Sequence, residues 1–424
     1  MLRISSATVR VAVAIAALCL AALPLVAQET EFDPRRVPFR EWVAQGEQEQ
    51  IPWKVLLSEP QLTFHQRIGV SIRVELSGKA LNARGERHNL TVLARMADRE
   101  GRWIDRGGIV RGEWNERFPA RSGIRFVMNV LVQPGEYSVG IVLLDLLTGE
   151  RSVTRRALKV PALKNDPLPA SWRNLPRAEF LGDTDGFETL VRPGMRSRLW
   201  LTAPTRRPVH IEVLANLAVS ELFAGSRTAH WINLTSVLAA LRVLTQIDLP
   251  NGRMGVTTVD LLRRKVVFEQ KDARRMDWRS LRDTLEQTNP GMISARALET
   301  RREGAAFLRE LLAERLAAPA AAPDAGSSAS AQGTRAEPEK KPQRVVIVLT
   351  TGFYFPRGAN LAPLQPPPDC GCKVYYLENR VGASNLWDQI PKLLRPLRPQ
   401  HFRIDRPMDL RRALAVLLED LRKH

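Results

Sequence analysis

Two of the three cysteines, six imidazoles and a run of three aromatics are the groups in this chain with most chemistry to offer. Cys370 and Cys372 flank Gly371. In an oxidising compartment such a pair closes locally as a disulfide, and Gly371 removes the side-chain clash that would oppose so short a ring. Metal binding would need further ligands, for which His401 is the nearest candidate, and a bridge between two chains is the third option. The local disulfide is the expectation. Histidines 65, 88, 210, 230, 401 and 424 show no ligand spacing. His210 falls inside an apolar strand pattern, where it reads as a satisfied core or edge histidine. The chain has no Gly-x-Ser-x-Gly elbow, no phosphate-cradling glycine loop and no His-Glu-x-x-His, so no catalytic residue is assigned and no enzyme activity is expected. Phe353, Tyr354 and Phe355 stand just after an apolar strand and before a proline-rich loop, 362–368. Exposed there, they would make a protein- or peptide-binding surface; turned inward, they would cap the sheet.

The rest of the chain bounds what these groups can serve. At 424 residues, 44% hydrophobic and 25% charged, it suits two globular domains with linkers. Residues 1–27 read as a signal peptide: Arg3 and Arg10 precede or flank a short apolar run, and Leu25-Val26-Ala27 makes a cleavage site. A periplasmic or secreted location follows. That run is shorter than the roughly 20 residues a spanning helix needs, and nothing later is long and apolar enough to cross a bilayer. A formal net charge of +18 favours anionic surfaces as partners. An envelope polymer fits an exported chain, and nucleic acid does not.

Period-two alternation marks half-buried strands from residue 52 to 165. Ile68, Val70, Ile72, Val74 and Leu76 set the pattern, and Leu90–Met96, Ile124–Val132 and Tyr137–Leu143 repeat it. Short alternating strands at this spacing predict an antiparallel β-sandwich over 52–165, preceded by an N-terminal extension, 28–51. Residues 166–204, rich in Pro, Gly and Asp, read as a linker with one further strand. From 205 to 424 the order becomes strand, helix, hairpin, two helices, strand, strand, helix, strand, helix. That order predicts an α/β domain built on a doubly wound, mostly parallel sheet with one antiparallel edge. An Ala/Pro/Ser/Gly tract, 317–342, cannot bury enough apolar surface to fold and reads as a disordered insertion within it.

Two strand ends carry a family resemblance. Val209–Leu214 runs into Asn216-Leu217-Ala218-Val219-Ser220, and Val345–Leu349 runs into Thr350-Thr351-Gly352. With the element order, these make residues 205–424 resemble a von Willebrand factor A-type domain, and the whole chain is similar to secreted bacterial VWFA-related proteins. In that family the first strand end reads Asp-x-Ser-x-Ser, a loop before a middle helix reads Gly-Gly-Thr, and the second strand end reads Thr-Asp-Gly. Together they hold a divalent ion. Here the matching positions are Asn216, Ala218, Ser220, Ile293 and Thr351. A hard cation needs oxygen ligands, some of them charged, so the resemblance implies a vestigial ion site with no metal and no cofactor. The function it implies is an exported, non-catalytic module that binds a protein or other envelope component through this degenerate domain. Two alternatives stay open. One is a metal-dependent adhesin or metal-assisted hydrolase with unconventional ligands; the other is electrostatic attachment to anionic envelope polymers.

Overall fold

A computed structural model describes residues 33, 36–119, 121–182, 195–218, 227–288, 301–317, 342–355, 359–365, 367, 370–380 and 388–423. The expected signal, residues 318–341 of the insertion, Ser220 and Ile293 lie outside the described residues. The chain forms two compact units, Met1–Glu41 and Trp42–His424, and all the strands below belong to the second.

Ten strands make two antiparallel sheets. The first has β1 (Gln48–Glu49), β5 (Arg87–Asp98), β6 (Gly108–Asn115), β8 (Gly135–Asp145) and β9 (Arg151–Val160), ordered β1-β9-β8-β5-β6. The second has β2 (Lys54–Leu57), β3 (Gln61–Leu62), β4 (Ile68–Ser77), β7 (Gly123–Val132) and β10 (Ala178–Phe180), ordered β10-β7-β4-β2 with β3 also on β4. Alternation decides the burial: Ile68, Val70, Ile72 and Val74 from β4 face Leu90, Val92 and Met96 from β5 in one core. Trp114 closes one end, edge-on to Phe118 and Phe126.

The remaining strands are β11 (Leu201–Thr202), β12 (Val209–Asn216), β13 (Ile247–Asp248), β14 (Gly252–Asp260), β15 (Lys265–Gln270), β16 (Gln343–Thr351), β17 (Lys373–Asn379) and β18 (Gln400–Ile404). Six of them form a sheet ordered β15-β14-β12-β16-β17-β18, and β11 pairs only with β13. Both faces of the six-strand sheet are covered. Helices Arg227–Leu244, Trp278–Thr288 and Pro407–Arg422 pack on one face with Ile211, Val213 and Ile347. Gly304–Ala317 and Ile390–Leu394 pack on the other with Leu214, Val346 and Val348.

The expected α/β class, with a doubly wound and mostly parallel sheet, is corrected by this topology. Antiparallel pairing prevails across the described residues, helices are few, and the six-strand sheet is mixed, with β15 antiparallel to β14. The connection from β16 to β17 gives one physical reason. Parallel neighbours need a crossover, most often a helix. The described part of residues 352–372 contains none. Pro363 and Pro367 lie in it, and proline breaks a helix interior by removing a donor and clashing with the preceding turn. Irregular chain crosses instead, buried through Phe353, Phe355 and Leu364.

Residues 166–204 were expected to link two domains, and their described part is stitched into both lobes. Trp172 packs against both cores. Arg411, fully buried on the last helix, donates to Asp166 Oδ1 at 2.5 Å and Oδ2 at 2.8 Å, to Leu168 O at 2.8 Å and to Ser171 Oγ at 3.0 Å. Its guanidinium also lies 5.3 Å from the Trp172 ring centre. Burial pushes the Asp166 carboxyl up, but the Arg411 hydrogen bonds and charge outweigh it and hold the group below the usual range. A second stitch runs from Gln66 Nε2 to Pro407 O at 3.0 Å, while the adjacent Arg67 pairs with Glu179 of β10 within the two-sheet lobe.

Candidate functional site

Strands β12, β14, β16 and β17 run parallel, so their carboxyl ends meet along one edge of the mixed sheet. Ligands of open sheets bind at such an edge. Register sets Ala215 opposite Leu349 and Thr351 opposite Asn379, which brings Asn216 beside Thr350. The Asn216 amide is bonded through both its nitrogen and its oxygen. Its Nδ2 donates to Thr350 Oγ1 at 3.0 Å, while its Oδ1 accepts from Ala218 N at 3.1 Å and Leu261 N at 3.3 Å. Thr350 passes its own proton to Thr351 O at 2.7 Å. Farther along, Asn379 Nδ2 donates to Ser236 Oγ at 2.5 Å, and Ser236 donates to Asn233 O at 2.8 Å. This row of amides and hydroxyls is buried and uncharged.

These residues do not fit a divalent cation. The one oxygen Asn216 could offer already accepts two backbone N–H groups, Ala218 carries no ligand atom, and Thr351 brings a hydroxyl where the family resemblance implies a carboxylate. Carboxylates near the edge are engaged elsewhere. Asp260 accepts from Leu262 N, Arg263 N and the Arg263 guanidinium within its own turn. Glu378, 3% exposed, lies 2.9 Å from His401 Nε2, with Arg403 and Arg380 at 3.7 and 3.8 Å. No group of three or more His, Cys, Asp or Glu side chains that could hold a metal occurs among the described residues.

The aromatic run sits over this edge, but turned inward. Phe353 and Phe355 are 2% and 1% exposed, with ring centres 5.0 Å apart, and only Tyr354 is partly accessible. Of the two readings of the run, Phe353 and Phe355 follow the capping one, and Tyr354 alone keeps an accessible surface. Gly304 makes room beneath them, since a Cβ there would lie 2.8 Å from Leu261 O and 3.5 Å from the Phe355 ring. Asp388 and Gln389, which sequence reasoning missed, strap the run in place. Phe353 N donates to Asp388 Oδ1 and Phe355 N to Gln389 Oε1, both at 3.0 Å, and Gln389 N donates back to Phe353 O at 3.0 Å. Burial raises the Asp388 carboxyl above its ordinary value despite the Tyr376 hydroxyl it accepts at 2.7 Å. The available signal was Asp388 two residues before Ile390, with Pro391 next: an aspartate that closes a turn on the backbone two residues on, ahead of a short helix, as Ile390 N donating to Asp388 Oδ1 at 3.1 Å shows.

Cys370 and Cys372 are joined, with Cα atoms 4.9 Å apart. Their turn precedes β17 and receives a 2.6 Å hydrogen bond from Gln343 Nε2, at the start of β16. It therefore lies at the amino ends of the strands, across the sheet from Phe353. His401 is drawn to Glu378 and stacks on Tyr376, with centres 4.8 Å apart, and takes no part in the cysteine turn. His210 Nδ1 accepts from Arg253 at 3.3 Å and stays within its strand pair.

No protein-family model matches the chain, and no curated protein matches it. No helix among the described residues is long and apolar enough to cross a membrane.

Proposed function

We propose that the chain is an exported, non-catalytic module that binds a protein or other envelope component through its mixed-sheet lobe, without a divalent cation. The Asn216 amide carries this reading. It fills with internal hydrogen bonds the place where the family resemblance puts an ion, and the strand-end carboxylates Asp260 and Glu378 are already held by Arg263 and His401. The signal-like residues 1–27 and the resemblance to secreted VWFA-related proteins support export. Tyr354 is the accessible residue of the aromatic run and the anchor of the proposed contact.

The test uses the mature protein, immobilised and exposed to an envelope extract with magnesium or with chelator. The same partner should be captured in both, and Tyr354→Ala should weaken capture about thirtyfold, as loss of an aromatic anchor does. Capture lost in chelator would return the metal-dependent reading. Full capture by a folded Tyr354→Ala variant would place the contact elsewhere.

A further inference from the structure

Residues 195–205 form an extended segment along the mixed-sheet lobe, and burial alternates strictly along it. Ser197, Leu199, Leu201, Ala203 and Thr205 turn inward, while Arg196, Arg198, Trp200 and Pro204 turn outward. Trp200 is 50% exposed, a large apolar ring left in water. The segment is anchored underneath: Trp200 N donates to Ser171 O at 2.8 Å, Leu199 N to Gln246 Oε1 at 2.7 Å, and Leu201 pairs with Ile247. Trp200 is thus held out by a fixed backbone.

The flanking charges are of one sign. Arg196 and Arg198 precede the tryptophan, and exposed Arg206 and Arg207 follow it. Arg422 reaches in from the last helix to donate to Thr202 O at 3.1 Å. None of these five cations is ion-paired among the described residues. Glu179, the acid close to Arg196, is occupied by Arg67, by Ser197 and by the backbone N–H of Arg196 itself. Asp248, in register with Thr202, is the single carboxylate that strand pairing brings alongside. Outward residues on an extended chain stand about 7 Å apart, so Arg196 to Trp200 extends about 14 Å, and Arg206 and Arg207 follow at a bend. The groove of about 360 Å³ on the two-sheet lobe is a weaker candidate, because its walls pair internally: Asp98 with Arg102 and Arg177, and Arg155 with Ser138.

We infer that this strip docks a linear acidic polysaccharide, one sugar ring lying on Trp200 and flanking carboxylates held by the arginines. A pyranose ring has an apolar face that suits an exposed indole, and the guanidinium fork matches a carboxylate. Single-stranded nucleic acid is bound on successive aromatic platforms, whereas this strip has one. Interfacial membrane binding needs a broad apolar face, which a lone tryptophan among arginines does not supply. The strip is separate from Tyr354 and from the proposed partner contact at the strand ends.

Binding of the full mature chain to polygalacturonate, measured by calorimetry, tests the assignment. Trp200→Ala should weaken binding about tenfold, and Arg206→Ala with Arg207→Ala should weaken it comparably and flatten its salt dependence. Both variants should keep the parent melting temperature, and Tyr354→Ala should bind polygalacturonate as the parent does. If Trp200→Ala melts early, the arginine pair, on exposed positions, gives the deciding result. Unchanged polygalacturonate binding in the folded variants overturns the inference. So does a result in which the same variants lose only oligo-dT or phosphatidylserine vesicles, which would reassign the strip to nucleic acid or membrane.

Discussion

At the strand ends of the mixed sheet, Asn216 with Thr350 and Asn379 with Ser236 pair as neutral groups across neighbouring elements, and the buried carboxylates Asp260 and Glu378 are held by Arg263 and His401. At the junction of the two lobes, buried polarity is charged and reaches across 245 residues, with Arg411 on Asp166. Buried ion pairs lose hydration that their attraction only partly returns. Neutral amides forgo that attraction and avoid most of the loss. The chain therefore uses buried charge where two lobes must be held in one arrangement, and sets a neutral amide, Asn216, at the position where its family resemblance would use charge for a ligand.

The sharpest way to break this contrast is Arg411→Ala. It leaves Asp166 without its cation and removes packing against Trp172, so unfolding free energy from denaturant titration should fall by about 3–5 kcal/mol. A loss below about 1 kcal/mol would mean the junction is held by packing alone. Asn216→Ala should cost less, about 2–3 kcal/mol, because the N–H groups of Ala218 and Leu261 lose their acceptor. Asn216→Asp places a carboxylate beside Thr350, and its melting temperature should not rise with added magnesium. A magnesium-dependent rise would show by linkage that a single substitution restores an ion site.

A third test concerns acid. His65 sits on the turn that plugs the two-sheet lobe into its neighbour, between Phe64, packed on the other core, and Gln66, bonded to Pro407. Burial, then the charges of Arg242 and Arg67, holds its imidazole down to about 3 from 6.5. A base with a depressed folded pKa binds its proton more readily when unfolded. Stability should therefore fall as pH drops below about 6.5, with a slope up to about 1.4 kcal/mol per pH unit from this group. His65→Leu should flatten that slope in urea titrations between about pH 7 and pH 5. An unchanged slope would move the acid sensitivity to other groups. The smallest effect is expected from Cys370→Ser with Cys372→Ser, about 1–2 kcal/mol, since so short a ring restrains little of the unfolded chain.

Strands whose side chains alternate were legible in the sequence because period two is itself the burial pattern. Ile68 to Leu76 and the Arg253–Asp260 and Lys265–Gln270 hairpin occur as β4, β14 and β15 nearly to the residue. The last helix was legible from Pro407 at its first position and a leucine stripe on one face. What sequence could not give was inward against outward where no period exists. Phe353-Tyr354-Phe355 follows an all-apolar strand and precedes prolines, so exposed and capping readings look alike until Asp388 and Gln389 arrive from 35 and 34 residues away to fix them. Arg411 was hidden for the same reason. On a helix otherwise read from its leucines, one arginine at a buried position has meaning only with Asp166, 245 residues earlier. The Asn216 and Thr351 departures were visible only against the family resemblance.

Asn216 has one more consequence, for how the protein ages. Asparagine converts spontaneously to aspartate when the next residue's backbone nitrogen attacks the side-chain amide carbon. Here that nitrogen belongs to Leu217 and is held by Val259 O at 2.8 Å, while the amide itself is fixed from three sides. The nucleophile is turned away from its target by the same sheet that buries the amide. Old preparations of the folded protein should therefore keep an amide at position 216 while exposed asparagines elsewhere lose theirs.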